Sequence, residues 1–340
     1  MKLSVYGAAR QVTGSNFLIE TDNNERFLID CGLFQGGQAM EAKNARQFPY
    51  RPSDIDFMIL THAHIDHSGR IPYLVKEGFN GPIYTTKATA DLAELMLYDS
   101  AKIQESDAEW QSRKNQRQNK GEVEPLYMES DVTRSLPLLR PQAYGQVIKL
   151  TENISLRFRD AGHILGSSIL EIWVKEGDRQ SKLVVSGDLG MSKHILIRDP
   201  EFIEEADYLI MESTYGNSVH ASYENSLKEL MQVIEETTNR GGTVLIPSFA
   251  VGRTQELIYE MNKYYEYIHQ GRSNPVRIIV DSPMATKATG IFMKNTAVLS
   301  DEAQDLIRRG DNVFAFPNLS FTANVEESVA LNTDQDPKVI

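Results

Sequence analysis

The sequence predicts a mixed α/β protein of two domains, and three observations lead to this fold class. The chain has 340 residues, of which 41% are hydrophobic and 24% charged, so it is long enough for two globular domains with sizeable cores. Short apolar segments separated by turn residues fill the first sixty residues, as in a sheet of short strands. After about Asp207, apolar segments alternate with segments of helical periodicity, which predicts parallel βαβ units. We therefore predict domains over 1–207 and 208–340.

The first domain is predicted to contain strands, then helices, then strands again. The first strand candidates are "LSVYG", "NFLIET", "RFLIDCG" and "DFMIL", with Asn23-Asn24 as a hairpin turn. Helices are predicted over 69–78, with Ser68 as the N-cap, and over "ATADLAELMLYDSAKIQ", where apolar residues recur at spacings of three and four. The basic stretch 113–120 is interpreted as a solvated helix end or loop. Strands return with "ISLRFRDAG", "SILEIWV" and "KLVVSGDLG".

In the second domain, the strands "YLIMEST", "GTVLIPSFA" and "VRIIVDSP" alternate with the helices "SYENSLKELMQVIEETTN" and "GRTQELIYEMNKYY". Open parallel sheets bind ligands at the carboxyl ends of their strands. Arg253, Asp281 and Ser282 follow such ends and are candidates for lining a substrate cleft. The alternative is that Ser282 caps a helix and that Arg253 pairs with Glu256 on the surface.

The composition limits the cellular setting and the partners. A net charge of −12 argues against binding nucleic acid through the overall field, although a local basic patch is not excluded. The single cysteine, Cys31, permits no intrachain disulfide and suits a reducing cytosol. Residues 1–9 lack the apolar region of a signal peptide, and no segment reaches membrane-spanning length. We predict a cytoplasmic protein without a membrane partner.

The segment "LTHAHIDHSG" at 60–69 carries three of the seven histidines of the chain and an aspartate. His62 and His64 are two apart in a predicted extended loop, so both rings can point the same way. Asp66 and His67 follow at the turn into a helix and could serve a second ion. The alternative is a polar helix cap with incidental histidines, but a cap needs only one of these side chains.

Two further candidate ligands, His163 and Asp188, lie at predicted strand ends. Gly162 and Gly166 flank His163 and would allow a close backbone approach to an ion or substrate. Taken alone, His163 could be a hydrogen-bonded core histidine and Asp188 a turn-forming aspartate. Together with the histidine segment they complete a set of imidazole and carboxylate ligands. Such a set suits zinc, with manganese or iron as alternatives, and the lack of thiolates argues against a closed structural site.

Four of these segments together resemble a known family. "LIDCG", "THAHIDHSG", "AGHILGSS" and "SGDLG" resemble, in this order, the successive motifs of the metallo-β-lactamase fold. The continuation "MESTYGN", "PSFAVGRTQEL" and "VDSPMA" resembles the β-CASP branch, the RNA-processing nucleases related to the cleavage factor of pre-mRNA 3′ processing. The resemblance implies a four-layer αββα first domain with two mixed sheets packed face to face. It also implies an inserted β-CASP α/β domain, which would be incomplete in this chain.

The resemblance also implies a site for two zinc ions. The ligands that it implies are His62, His64 and His163 for the first ion, Asp66 and His67 for the second, and Asp188 as a bridge between both.

Roles for two further acidic residues come from the same resemblance. Asp30, in "LIDCG", would support the histidine loop by hydrogen bonding without binding a metal ion, a role with a clear physical basis. Glu212, in "MESTYG", would orient a histidine that acts on the leaving group, so Asp66 and Glu212 are the implied catalytic residues. The implied activity is hydrolysis of RNA phosphodiester bonds by attack of a metal-bound hydroxide.

The chain ends at "DQDPKVI", where Val339 and Ile340 begin an apolar segment that predicts a strand. Family members continue from such a point and supply two more histidines, and no histidine of this chain lies in a matching motif. The unmatched histidines are His194, His220 and His269. We therefore expect a truncated product, a weakened second metal site and impaired RNA cleavage. Two alternative functions are a catalytically impaired scaffold that binds RNA or a partner and a hydrolase of the same fold that acts on a small substrate. A homodimer is a separate hypothesis about assembly.

Overall fold

The computed structural model describes residues 1–192, 195–219, 223–265 and 276–340. They belong to two compact units, one of Met1–Lys193 with Asp199–Glu212 and one of His194–Arg198 with Ser213–Ile340. The first unit extends beyond the predicted boundary at Asp207, because the strand Tyr208–Ile210 pairs with its sheet. The domain limits 1–207 and 208–340 stay a prediction.

A six-stranded mixed sheet forms one layer of the first unit. In spatial order its strands are β1 (Lys2–Val5), β2 (Phe17–Glu20), β3 (Arg26–Ile29), β4 (Phe57–Ile59), β5 (Ile83–Thr86) and β6 (Leu139–Gln142). The first three strands are antiparallel, and β3 to β6 run parallel. The β2–β3 hairpin turns at the predicted Asn23-Asn24, where Asn24 has a φ of 62°. Asparagine tolerates this left-handed conformation better than most residues.

A five-stranded mixed sheet forms the facing layer. Its strands are β7 (Val147–Lys149), β8 (Ile154–Asp160), β9 (Ser168–Glu176), β10 (Arg179–Val185) and β11 (Tyr208–Ile210). All its pairs are antiparallel except β10 with β11. Alternate residues of both sheets are buried in one apolar core between them, to which the six-stranded sheet contributes Ile19, Phe27, Ile29, Phe57 and Ile59 and the five-stranded sheet Ile154, Leu156, Phe158, Leu170, Ile172, Val174, Leu183 and Val185. The predicted pair of mixed sheets packed face to face is confirmed.

The helices of the first unit connect these strands. They are α1 (Gln38–Glu41), α2 (Ile65–Ser68), α3 (Ile71–Lys76), α4 (Lys87–Gln116) and α5 (Glu129–Ser135). Thr86 is the N-cap of α4 and accepts a hydrogen bond from the backbone N–H of Thr89. The predicted cap at Ser68 is wrong. Its hydroxyl donates to the carbonyls of Ala63 and His64, so Ser68 lies in the last turn of one short helix and not before a longer one.

The second unit contains a parallel sheet with helices. In spatial order its strands are β12 (Thr243–Val244), β15 (Lys338–Val339), β13 (Arg277–Val280) and β14 (Leu319–Phe321). Its helices are α6 (Tyr223–Asn239), α7 (Arg253–Lys263), α8 (Pro283–Lys294), α9 (Asp301–Arg308) and α10 (Val325–Ala330). Each described pair of these strands is parallel, as the strand–helix alternation predicts. The strand predicted at Val339 is present as β15.

The burial of Cys31 gives a direct test of this fold. Its side chain is 1% exposed, and burial raises the pKa of the thiol to about 12. Because the reactive thiolate forms only as the pH approaches the pKa, Cys31 should be neutral and inaccessible at about pH 8. We expect iodoacetamide to leave the native chain unmodified and to alkylate it fully in guanidinium, as followed by mass spectrometry. Alkylation of the native chain at the rate of a free cysteine would contradict the burial.

Candidate metal centre

The candidate centre begins where the parallel strands β3 and β4 end side by side. In the register of this pair, Ile29 lies opposite Ile59, so Asp30 leaves one strand next to the loop that leaves the other. The backbone N–H of Thr61 donates to Asp30 Oδ1 over 2.8 Å, which joins the two loops. His62 follows directly and is completely buried.

Four side chains converge beside this edge. One ligand atom from each of His62, His64, His163 and Asp188 lies within 4.8 Å of the other three, and we call these residues the four-residue ligand group. His64 Nδ1 lies 3.2 Å from His62 Nε2 and 3.1 Å from His163 Nε2. Asp188 Oδ2 lies 3.7 Å from His62 Nε2 and 3.6 Å from His163 Nε2. A tetrahedral site with bonds of about 2.0–2.2 Å has ligand atoms about 3.3–3.6 Å apart, so this spacing fits a four-coordinate metal ion.

His163 and Asp188 come from loops that follow β8 and β10. Both strands are antiparallel to β9, so both loops leave the same edge of the five-stranded sheet. Gly190 allows the backbones of these two loops to approach closely, because a Cβ at this position would lie 1.5 Å from the carbonyl oxygen of Gly162. The Gly190 N–H donates to the Ala161 carbonyl over 2.9 Å. The absence of a side chain at Gly190 therefore sets the distance between the two ligand loops.

Hydrogen bonds to Asp30, one from an imidazole and one from Thr61, fix the orientation of two imidazoles. The hydroxyl of Thr61 donates to Asp30 Oδ2 over 2.9 Å, so its oxygen is left to accept from His62 Nδ1, 3.0 Å away. His67 Nδ1 lies 2.7 Å from the same Oδ2 and donates to it. His62 then presents an unprotonated Nε2, the form that binds a metal ion, and Asp30 directs Nε2 of His67 towards Asp188.

The two carboxylate oxygens of Asp188 face different histidines. Oδ2 faces His62 and His163, whereas Oδ1 lies 3.2 Å from His67 Nε2. Burial alone would raise the pKa of Asp188, but the hydrogen bond and charge of His67 outweigh it and hold the pKa at about 2. Asp188 is therefore a carboxylate at neutral pH, with oxygens directed to two sides.

Burial also controls the protonation of the histidines. It lowers the pKa of His62 well below the usual range and that of His64 to about 3, and the neighbouring imidazoles add to the effect. Both rings are therefore neutral at pH 7, as metal binding requires. For His67, burial lowers the pKa, but Asp30 and Asp188 together outweigh it and raise the pKa well above the usual value.

The two predicted catalytic carboxylates lie close to this group without belonging to it. Asp66 is half-buried in α2, where burial raises its pKa and the charge of His67 lowers it. Glu212 follows β11, and its Oε1 accepts the N–H of Leu189 over 3.3 Å, which places it beside the turn that carries Asp188. Three other histidines, His194, His220 and His269, lie outside the described residues.

The candidate substrate residues of the second unit have structural partners. Arg253 Nη1 pairs with Glu256 Oε2 over 2.7 Å, and Ser282 caps α8 by accepting from the Ala285 N–H. Both contacts correspond to the alternative considered from the sequence. Asp281 accepts hydroxyl hydrogen bonds from Thr322 and Ser328 over 2.9 and 2.8 Å. Asp281 and Ser282 also line a cavity of about 360 Å³ at the strand ends. Their part in substrate binding stays a prediction.

Thr61, Ser15 and Gly32 support the centre although none was a predicted site residue. Ser15 Oγ donates to Asp30 Oδ2 over 3.3 Å, and a Cβ on Gly32 would lie 1.6 Å from the carbonyl oxygen of Asp66. The sequence offered two signals: Thr61 directly precedes the first histidine, and Gly32 closes "LIDCG". A single sequence does not distinguish such a hydroxyl or glycine from an ordinary loop residue.

Comparison with known proteins finds two matching family models. That of the metallo-beta-lactamase superfamily matches residues 9–237, and that of the Beta-Casp domain matches residues 254–340.

Curated relatives match all or nearly all of the chain. Ribonuclease TTHA0252 of Thermus thermophilus is 37% identical over 100% of this chain and 72% of its own length. Transcription termination factor FttA of Methanocaldococcus jannaschii is 32% identical over 100% of this chain and 51% of its own length. FttA of Methanothermobacter thermautotrophicus is 34% identical over 92% of this chain and 47% of its own length. The chain thus spans about half the length of these two termination factors.

The close approach at Gly32 predicts the effect of one methyl group. In Gly32→Ala the new Cβ would overlap the Asp66 carbonyl, and no side-chain rotation relieves a clash with backbone. We expect a loss of about 2 kcal/mol or more of unfolding free energy in guanidinium, and a lower content of bound metal by mass spectrometry. Gly121→Ala is the control, because nothing lies within 4 Å of its added Cβ. Equal stability and metal content of the two variants would contradict the close approach.

The role of Asp30 predicts a change in metal affinity. In Asp30→Asn the amide keeps the shape of the side chain but removes the carboxylate that accepts from Thr61 and His67. We expect zinc affinity, measured by competition with a chromophoric chelator, to fall by about 10- to 100-fold. Asp107→Asn, on the exposed face of α4, should bind zinc like the unchanged chain. An unaltered affinity in Asp30→Asn would show that these hydrogen bonds do not orient the ligands.

Proposed function

The chain belongs to the metallo-beta-lactamase superfamily and carries a Beta-Casp domain, and from this premise we propose that it is a zinc-dependent ribonuclease. The four-residue ligand group carries the proposal, because its spacing and chemistry fit a metal ion. RNA is supported as the substrate by the relative named a ribonuclease, which is 37% identical over the whole chain.

Zinc is the proposed metal because of the donor atoms. The group offers three imidazoles and one carboxylate at near-tetrahedral spacing and no thiolate, a set typical of catalytic zinc. We propose a second ion held by Asp66 and His67. Asp188 would be the bridge, since its two oxygens face His67 on one side and His62 on the other.

The residues of the chain prepare the centre for hydrolysis. Thr61 keeps the proton of His62 on Nδ1, which leaves its Nε2 free to bind, and Asp30 holds Nδ1 of His67, so that loss of the Nε2 proton would free that atom for a metal ion. When bound, the metal ions supply an activated water and offset the charge that develops at phosphorus. Ions held by these residues would also outweigh the net charge of −12 locally, so that the centre could accept a polyanion.

Glu212 is the proposed positioning residue for the proton donor to the departing 3′ oxygen. It lies at the carboxyl end of β11 and is hydrogen-bonded to the turn that carries Asp188. Its backbone N–H donates to Ser186 Oγ over 3.1 Å, which ties both ends of that turn to the same strand pair. Glu212 is thereby held near the centre without contributing to the four-residue ligand group.

The remaining proposals concern partners and location. RNA is the proposed partner, and a cytoplasmic location and a homodimer stay predictions. None of the helices in the described ranges is long and apolar enough to cross a membrane.

Cleavage of a labelled single-stranded RNA tests the proposed function. We expect zinc-dependent products with 5′-phosphate ends, abolished by chelation and restored by added zinc. Asp188→Asn should lower the rate by about 100-fold or more, because the carboxylate that faces both sides of the centre is lost. Asp107→Asn on α4 is the matched control and should cleave normally.

Two results would contradict the proposal. Products with 2′,3′-cyclic phosphate ends would indicate attack by the neighbouring ribose hydroxyl and not by water. Hydrolysis of a β-lactam or thioester without RNA cleavage would instead favour a small-substrate enzyme of the same fold.

A further inference from the structure

The loop between β1 and β2 lies at the same sheet edge as the candidate metal centre. The last residue of β1, Val5, is opposite Phe17, Phe17 is opposite Ile29, and Ile29 is opposite Ile59. The loop over residues 6–16 therefore leaves the sheet beside the loops that carry Asp30 and His62.

Hydrogen bonds tie the base of this loop to the metal-binding segment. The Ser15 N–H donates to the Asp66 carbonyl over 2.8 Å, and the Gly32 N–H donates to the Ser15 carbonyl over 2.9 Å. The backbones of Gly7 and Gly14 are in close contact at the base of the loop, since a Cβ on Gly7 would lie 1.7 Å from the Gly14 carbonyl oxygen. Residues 8–13 thus form a closed loop whose position is set by the centre itself.

The backbone of this loop is held in an unfavourable conformation. Ala8 has a φ of 53° and Arg10 a φ of 58°, in the left-handed region that side chains with a Cβ rarely adopt. Such conformations cost free energy and persist when surrounding contacts enforce them, and they are concentrated at functional sites. The loop therefore presents the Arg10 side chain at a stability cost.

Arg10 is an exposed cation that has no counterion within the described part of the chain. Among the described residues, no hydrogen bond or ion pair involves its guanidinium. The neighbouring Lys43 differs, because it donates to Gln11 and lies over the ring of Phe34. In a chain with a net charge of −12, a guanidinium on the loop next to the candidate metal centre is suited to an anion, and its planar fork matches phosphate oxygens.

We propose that Arg10 binds a backbone phosphate of the RNA strand next to the bond that is cleaved. This inference rests on the proposed ribonuclease function and adds a substrate contact to it. Arg10 would position the strand through the rigid base of its loop, while the metal centre acts on the scissile phosphate.

Arg10→Ala and Arg10→Lys, compared with Arg117→Ala, test this contact. Arg117 is also an exposed arginine. It lies at the far end of α4, whose first turn contacts the His163 loop through a hydrogen bond from Thr89 to Gly166. A rise of 1.5 Å per residue puts Arg117 about 42 Å along the helix from Thr89. Each alanine variant removes one exposed positive charge, and the two differ in their distance from the centre.

Steady-state RNA cleavage with zinc, measured over a range of salt concentrations, gives the readout. For Arg10→Ala we expect KM to rise about three- to fivefold with little change in kcat, as for loss of one exposed charge contact. The slope of log(kcat/KM) against log[salt] should become shallower by about 0.7. Arg10→Lys should keep the slope and recover part of the affinity, and Arg117→Ala should match the unchanged chain.

The outcomes separate this inference from the proposed function. If the unchanged chain cleaves RNA and Arg10→Ala has the KM and salt slope of Arg117→Ala, the contact is absent and only this inference fails. If the unchanged chain cleaves no RNA with zinc, both fail. Arg10→Gly gives a second check: relief of the left-handed strain should raise Tm while KM rises as in Arg10→Ala. A KM unchanged in Arg10→Gly would also overturn the contact.

Discussion

The buried carboxylate of Asp30 is the interaction on which the centre depends. Its side chain is 1% exposed, and it accepts hydrogen bonds from the Thr61 N–H, two hydroxyls and an imidazole. A buried carboxylate without such partners would cost several kcal/mol, so the three loops that supply them must meet at this point. Asp30 itself has a φ of 58°, in the left-handed region, so the backbone is strained where it directs the carboxylate towards these partners. One residue thereby links the β1–β2 loop, the end of β3 and the histidine loop.

This arrangement explains which features could be predicted from the sequence. The ligand histidines are recognisable because metal chemistry restricts residue type and spacing, and the two sheets follow from short-range alternation. The partners of Asp30 were harder to predict, because Thr61 and Ser15 are ordinary loop residues until the strand register brings them together. The cap assigned to Ser68 failed for a related reason: its hydroxyl bonds back to the preceding turn, and local propensity does not reveal this choice. The strand at Tyr208–Ile210 joins the five-stranded sheet through a pairing about 25 residues away in sequence, beyond the range of local patterns.

Burial and neighbouring charges determine the protonation states of different residues in the centre. Burial keeps His62 and His64 neutral, whereas the contact with His67 keeps Asp188 ionised. His62 and His64 are therefore neutral and Asp188 is a carboxylate at neutral pH, so a cation can bind without first displacing protons from His62 or His64. In our proposal, a cation bound where the ligands converge, together with Arg10, would supply the positive charge with which an acidic chain acts on RNA.

X-ray absorption at the zinc edge of the zinc-loaded chain tests the central claim most directly. The four-residue ligand group predicts a shell of nitrogen and oxygen ligands at about 2.0–2.1 Å, with the outer-shell scattering of imidazole rings and no sulfur. A sulfur shell at about 2.3 Å would place the metal at Cys31, and a shell of oxygen alone would place it at surface carboxylates. Either spectrum would contradict a centre built from His62, His64, His163 and Asp188.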